Sequence, residues 1–355
     1  MTLFNTFNRI TESPANLHAF EKKYRALIRI IALLCLVGFN IACTSESEDV
    51  KGKTTDNKPY QIVASVGMIG DIVRNVAGHN AEVSVIMGAG VDPHLYTPTR
   101  DDVALMLEAD AIFYVGLLLE GRMVDALISV GRDKPVYAVT QLIDAKNLIE
   151  AQGHYDPHVW MDVSVWSRAV DAVALSLAEL DPTNAVDYQL NAERYQQNLT
   201  ALHNYGLKRI ETIPAEANNK PLLITSHDAF SYFGKAYGLE VLGIQGISTV
   251  SEAGLQRINE LIDLIVTNKV PAVFIESTVS QQNIQALIEG SRARGHNIKI
   301  GGELYSDAMG PESSYEGTYI GMLDHNITIV TQALGGEAPA HGMQGKLNLP
   351  EEKQL

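Results

Sequence analysis

The sequence predicts an α/β protein of two βα lobes with mostly parallel sheets, joined by one long rigid helix. Three observations carry the architecture. From Tyr60 onward, short β-branched runs alternate with longer segments whose apolar residues recur at helical spacing. The alternation occurs twice along the chain. Between the two halves lies a segment rich in Ala, Leu, Gln, Glu and Asn, bounded by prolines and free of them inside. With 355 residues, 46% of them hydrophobic, there is ample material for two packed lobes.

Residues 1–42 read as an export signal. Lys22, Lys23, Arg25 and Arg29 precede or enter the apolar run Ala26–Phe39, which is short for a membrane span and ends in small residues around Ala42 and Cys43. Residues 43–58 are polar and read as a flexible tether. An uncleaved anchor, with Cys43 an ordinary thiol, is the other reading of this end. Cys35 and Cys43 are the two cysteines of the chain and cannot build a disulfide framework.

The N-terminal lobe, residues 59–181, has strand candidates Gln61–Val66, Glu82–Met87, Ala111–Gly116 and Pro135–Val139, with helical spacing in segments such as Gly121–Val130. Residues 182–213 form the connecting helix, opened by Pro182 and followed by Pro214. About 30 residues of helix span about 45 Å, unless Gly206 breaks it into two. The C-terminal lobe, residues 214–345, repeats the scheme with strands Leu222–Ser226, Glu240–Ile244, Ala272–Glu276 and Ile298–Leu304. Helical stretches Ala229–Tyr237, Glu252–Thr267 and Gln281–Arg294 lie among them. Residues 346–355 are a tail. Both sheets should be covered on both faces by helices.

Lys and Arg total 27 against 42 Asp and Glu, a net charge of −15, which argues against a nucleic-acid partner. The sequence contains no phosphate-binding loop, nucleophile elbow, HExxH or dinucleotide fingerprint. What remains is a set of titratable residues beyond predicted strands, where open parallel sheets bind ligands. His94 stands in Asp92-Pro93-His94-Leu95-Tyr96, and His158 in the near-repeat Asp156-Pro157-His158-Val159-Trp160. Proline restrains the backbone before each imidazole, and the preceding aspartate can accept an N–H, so both rings should be held in place. His227 follows Leu222–Ser226, and Asp307 follows Ile298–Leu304. Three imidazoles and one carboxylate, two from each half, would make a closed metal site in the cleft between the lobes for a borderline divalent ion, one that binds rather than catalyses.

Each residue alone has a plainer reading, and Asp307 could cap a following helix. Glu276, at the end of Ala272–Glu276, is a reserve ligand or an acceptor that orients an imidazole. Asp228 could be a first-turn anion beside His227. His154 belongs at the cleft rim. His79, His203, His296, His325 and His341 are expected in turns or on helix faces, and His18 in the targeting segment.

At these residues the chain resembles the zinc/manganese solute-binding proteins of ABC importers, the TroA-like family. The resemblance runs from Tyr60 to Gly335. It rests on Pro93-His94-Leu95-Tyr96, Asp156-Pro157-His158-Val159-Trp160, Ser226-His227-Asp228-Ala229-Phe230, Gln245-Gly246-Ile247-Ser248-Thr249 and Leu304-Tyr305-Ser306-Asp307-Ala308. It implies His94, His158, His227 and Asp307 as ligands of a transported Zn²⁺ or Mn²⁺, captured outside the cytoplasm and delivered to an ABC permease. It implies no enzymatic activity. His at the third position leans toward zinc, while the lack of a His- and acid-rich run in Gln141–Gly153 leaves manganese open. The signal resembles that of a bacterial lipoprotein, which implies a lipid on Cys43 and a membrane anchor at the periplasm or cell surface; a monomer is expected. Three residues before Cys43 stands Asn40, where such signals usually carry Leu. A surface adhesin and a metallohydrolase are the alternative functions.

Overall fold

The computed structural model describes residues 58–151, 153–214 and 220–348. The export signal, both cysteines, the tether through residue 57 and the tail beyond residue 348 lie outside the described residues.

The fold is α/β, with two lobes and a long helix between them. Strand β1 (Tyr60–Val66) leads into helix α1 (Gly67–Ala77), then β2 (Ala81–Met87), α2 (Arg100–Glu108), β3 (Ala111–Tyr114), α3 (Val124–Val130) and β4 (Val136–Ala138). These strands form one parallel sheet in the order β2-β1-β3-β4. β1 is central, and its last five residues, Val63 to Val66 with Ile62, are buried, as expected of a strand covered on both faces. A two-residue hairpin, β5 (Glu150–Ala151) and β6 (His154–Tyr155), precedes helix α4 (Val163–Leu180), whose first N–H groups are capped by Asp162.

Pro182–Asn184 forms a single 3₁₀ turn, and helix α5 (Ala185–Ile210) runs on unbroken for 26 residues, about 39 Å. Its buried residues are Tyr188, Ala192, Tyr195, Leu199, Leu202, Gly206 and Ile210. They recur at spacings of three and four, one continuous stripe along the helix. Gly206 does not interrupt it. A Cβ there would lie 2.6 Å from Cε1 of Tyr237 and 3.1 Å from Cδ1 of Ile327, so the glycine is a point of close approach between helices.

The C-terminal lobe continues with β7 (Leu222–Thr225), α6 (Ser231–Tyr237), β8 (Glu240–Gly243), α7 (Leu255–Thr267), β9 (Ala272–Glu276), α8 (Gln282–Ala293), β10 (Lys299–Leu304) and α9 (Tyr319–Ala333). Its strands are parallel and form two ladders, β7 with β8 and β9 with β10, rather than one hydrogen-bonded sheet. The register of β10 slips between Ile300 and Gly302. Predicted strands differ from observed ones by at most two residues at either end. The segment Gly121–Val130 divides into a 3₁₀ turn, Gly121–Met123, and α3.

One hydrophobic core runs from β1 and β3 through α1, α4 and α5 into α6 and α9, so both lobes share it. A second cluster, including Ile224, Leu261, Ile265, Val273, Ile284 and Leu287, packs the strands of the C-terminal lobe against α7 and α8. Among the described residues no helix is long and apolar enough to cross a membrane.

Candidate metal centre

Four loops bring His94, His158, His227 and Asp307 together. His94 lies in the loop between β2 and α2; a capping box of Thr99 and Asp102 starts α2 and so fixes the far end of that loop. His158 stands between β6 and the 3₁₀ turn Val159–Met161, well beyond the main sheet of its lobe. His227 is two residues past β7, and Asp307 three past β10. All four are buried, with His94 7% exposed and the others at 1% or less.

One ligand atom from each lies within 4.8 Å of the other three. Nε2 of His94 is 3.2 Å from Nε2 of His158. Asp307 aims both oxygens inward: Oδ1 is 3.3 Å from Nε2 of His158, and Oδ2 is 3.2 Å from Nε2 of His227 and 3.7 Å from Nε2 of His94. A tetrahedral ion with bonds of about 2.0–2.1 Å has ligand atoms about 3.3–3.4 Å apart. Three of these four spacings, at 3.2–3.3 Å, match that edge length, and the His94–Asp307 spacing of 3.7 Å is longer. The rings do not stack: those of His94 and His158 are tilted by 57°, and that of His227 meets them edge to face at 83° and 71°. Nε2 of His227 and both oxygens of Asp307 are buried without an aligned hydrogen bond among the described residues, as expected of atoms whose partner is a cation.

Two of the rings are gripped from behind. Asp156 Oδ1 accepts from both the backbone N–H of His158 (2.9 Å) and Nδ1 (2.7 Å). Glu276 accepts the His227 backbone N–H at Oε1 (2.8 Å) and Nδ1–H at Oε2 (2.5 Å). Glu276 therefore faces the back of the ring, as the orienting acceptor, and not the convergence point. An Nδ1–H so held leaves Nε2 as the lone-pair atom. The near-repeat around His94 behaves differently from expectation. Asp92 Oδ1 accepts only the backbone N–H of His94 (2.8 Å), because its other oxygen accepts from the hydroxyl of Thr249 in the opposite lobe (2.5 Å).

Burial opposes charge on all three imidazoles. At His94 it dominates over the carboxylate of Asp307, and the pKa falls to about 4. At His158 burial is outweighed by Asp156 and Asp307, and the pKa is pushed up to about 9. His227 is held well above its usual value, burial again yielding to Glu276 and Asp307. Burial would raise the Asp307 carboxyl, but the His227 and His158 imidazoles hold it well below the usual range. Protons on His158 and His227 and a cation among the rings are thus alternative ways to neutralise Asp307.

Two expectations for neighbouring residues are corrected. Asp307 caps no helix, since α9 begins only at Tyr319. Asp228 is not in a first turn, because α6 starts at Ser231, whose Oγ donates to Asp228 Oδ1 (2.8 Å) ahead of the helix. His154 lies at the rim as expected, exposed, beside a cavity of about 310 Å³ outside His94 that Leu117, Leu118, Arg122, Tyr155 and Val250 also line. His296, His325 and His341 meet backbone carbonyls instead.

Residues not singled out from sequence tie the lobes at the site. Trp160 Nε1 donates to the carbonyl of Ser306 (2.9 Å), Tyr319 Oη to that of Trp160 (2.7 Å), and Tyr232 Oη to that of Asp156 (3.0 Å). Each reads in sequence as an apolar core residue; only its polar tip betrays the second role.

The family described as "Zinc-uptake complex component A periplasmic" matches residues 62–333. The chain is 41% identical over 295 residues to "Manganese-binding lipoprotein MntA" of Bacillus subtilis (strain 168), covering 82% of this chain and 95% of the relative. It is 42% identical over 306 residues to "Zinc-binding protein TroA" of Treponema pallidum (strain Nichols), covering 86% and 96%. The solved structure of the periplasmic zinc-binding protein TroA from Treponema pallidum superimposes with a TM-score of 0.75, at 42% identity, over 78% of this chain and 99% of that one. With a family match across both lobes and four side chains of metal-ligating type converging between them, the chain belongs to the periplasmic zinc-uptake component A family.

Proposed function

We propose that this protein captures a divalent transition metal, zinc in preference to manganese, on His94, His158, His227 and Asp307, and delivers it to an ABC permease. Metal capture for an ABC importer is the work of the family. The assignment of these ligands and of zinc rests on one observation, the convergence of three imidazoles and the Asp307 carboxylate, with one ligand atom from each within 4.8 Å of the others. Imidazole suits zinc, whereas manganese favours oxygen donors and higher coordination numbers. The second inward oxygen of Asp307 offers a fifth contact through which manganese can compete.

The ion sheds its water and displaces the protons of His158 and His227 as it binds. Asp156 and Glu276 hold their rings before it arrives, so little ordering is left to do. Glu276 is engaged at both oxygens by His227 and so is not a free general base. That favours binding over hydrolysis. We also assign residues 59–181, 182–213 and 214–345 as N-terminal lobe, connecting helix and C-terminal lobe. A lipid on Cys43 would hold a monomer at the membrane outside the cytoplasm, supported by the lipoprotein names of relatives such as the Bacillus subtilis protein.

The test offers equal zinc and manganese to chelator-stripped full-length protein and counts bound metal per chain by mass spectrometry. About one zinc with little manganese is expected, and His158→Ala should lose it while staying folded. Manganese at comparable occupancy would overturn the zinc preference, and unchanged zinc binding by His158→Ala would overturn the ligand assignment.

A further inference from the structure

The four ligand loops are not held alike. The His158 loop is stitched to the C-terminal lobe by the three bonds of Trp160, Tyr319 and Tyr232, and by Ile149 N–H donating to the Tyr232 hydroxyl (2.9 Å). His158, though it belongs to the N-terminal half of the chain, therefore moves with His227 and Asp307. His94 stands apart. Among the described residues, loop 88–98 makes one hydrogen bond to the C-terminal lobe, from the Thr249 hydroxyl to Asp92 Oδ2. The other oxygen of that carboxylate holds the His94 backbone N–H. One side chain thus grips the ligand and the opposite lobe at once. His94 is also the most exposed ligand and the one that borders the cavity at the cleft mouth.

We propose that Thr249 is a positioning residue that locks the His94 loop over the captured ion, so that breaking its bond to Asp92 frees His94 and sets the rate of metal release. The proposal rests on the four-ligand reading. Three ligands form a fixed half-site, and His94 completes or opens it. The hydroxyl donates to a carboxylate in a site where Thr249 is only 8% exposed, so water replaces it poorly. The ion leaves toward the cavity once the fourth ligand is withdrawn.

The test loads full-length protein, kept in mild detergent, with zinc. Excess chromogenic chelator is then mixed in by stopped flow at several concentrations, and the release rate is extrapolated to zero chelator. Thr249→Val should release zinc about tenfold faster or more, with association changed by less than about threefold. Thr249→Ser keeps the hydroxyl and should restore slow release. His94→Ala should release fast, and adding Thr249→Val to it should change nothing further, since Thr249 acts through His94. An unchanged rate in Thr249→Val, or an equal acceleration in the His94→Ala background, would overturn the proposal and leave the ligands standing. A wild-type release rate in His94→Ala would overturn the four-ligand reading, and the proposal with it.

Discussion

Glu276→Gln isolates what the buried carboxylate behind His227 contributes. Glutamine keeps the shape but has one acceptor oxygen where glutamate has two, and both are in use, one by the His227 backbone N–H and one by Nδ1–H. If the amide oxygen takes the backbone N–H, the NH₂ group donates to Nδ1 and drives the ring proton to Nε2, the ligating atom. If the oxygen takes Nδ1–H, two donors collide at the backbone. Loss of such an orienting partner costs about 10- to 100-fold in metal affinity, or about 1.4–2.7 kcal/mol. Glu276 is also the leading charge that raises the His227 pKa against burial, so the variant should bind protons there more weakly. Proton competition then falls along with ligand strength. Competition titration against a zinc chelator should show a smaller loss at acidic pH, where the relief of proton competition offsets it most, and a larger one as pH rises. No loss at any pH, or the same loss throughout, would refute this account of Glu276.

Zinc binding should release about two protons per ion near neutral pH, those of His158 and His227. Calorimetry in buffers of different ionisation enthalpy measures this, and release of none would contradict the raised values at these rings. Because the His158 pKa rises from 6.5 to about 9 on folding, its stabilisation is complete below about pH 6.5 and is lost as pH climbs through about 9. That shift corresponds to something on the order of 3 kcal/mol, so the melting temperature of chelator-stripped protein should fall over this window while that of zinc-loaded protein does not. Gly206→Ala should destabilise by about 1–3 kcal/mol in denaturant unfolding, despite the better helix propensity of alanine, because its Cβ would press on Tyr237 and Ile327.

Much of this arrangement is legible in the sequence because it depends on local pattern. Strands such as Ala272–Glu276 announce themselves as β-branched runs, and the α5 stripe from Tyr188 to Ile210 follows from helical spacing between prolines. The four candidate ligands are visible as a group because each sits beyond a predicted strand or in the repeated Asp-Pro-His motif. What could not be read is long-range. Asp92 and Asp156 occupy equivalent places in that motif, yet one bridges to Thr249, 157 residues away, while the other orients its own histidine. Trp160 looks like core packing until Ser306 lies beside its indole N–H. The start of α6 at Ser231, two residues after the expected Ala229, is hidden for a similar reason: His227 and Asp228 are held by Glu276 and Ser231 ahead of the helix.

The central claim is that one ion is held by three imidazoles and one carboxylate. X-ray absorption at the zinc edge of full-length protein carrying one equivalent of metal tests it directly. The account predicts four nitrogen or oxygen neighbours at about 2.0–2.1 Å with the multiple-scattering pattern of three imidazoles. A sulfur shell at about 2.3 Å, from Cys35 or Cys43, or a shell of oxygens without imidazole scattering, would contradict it.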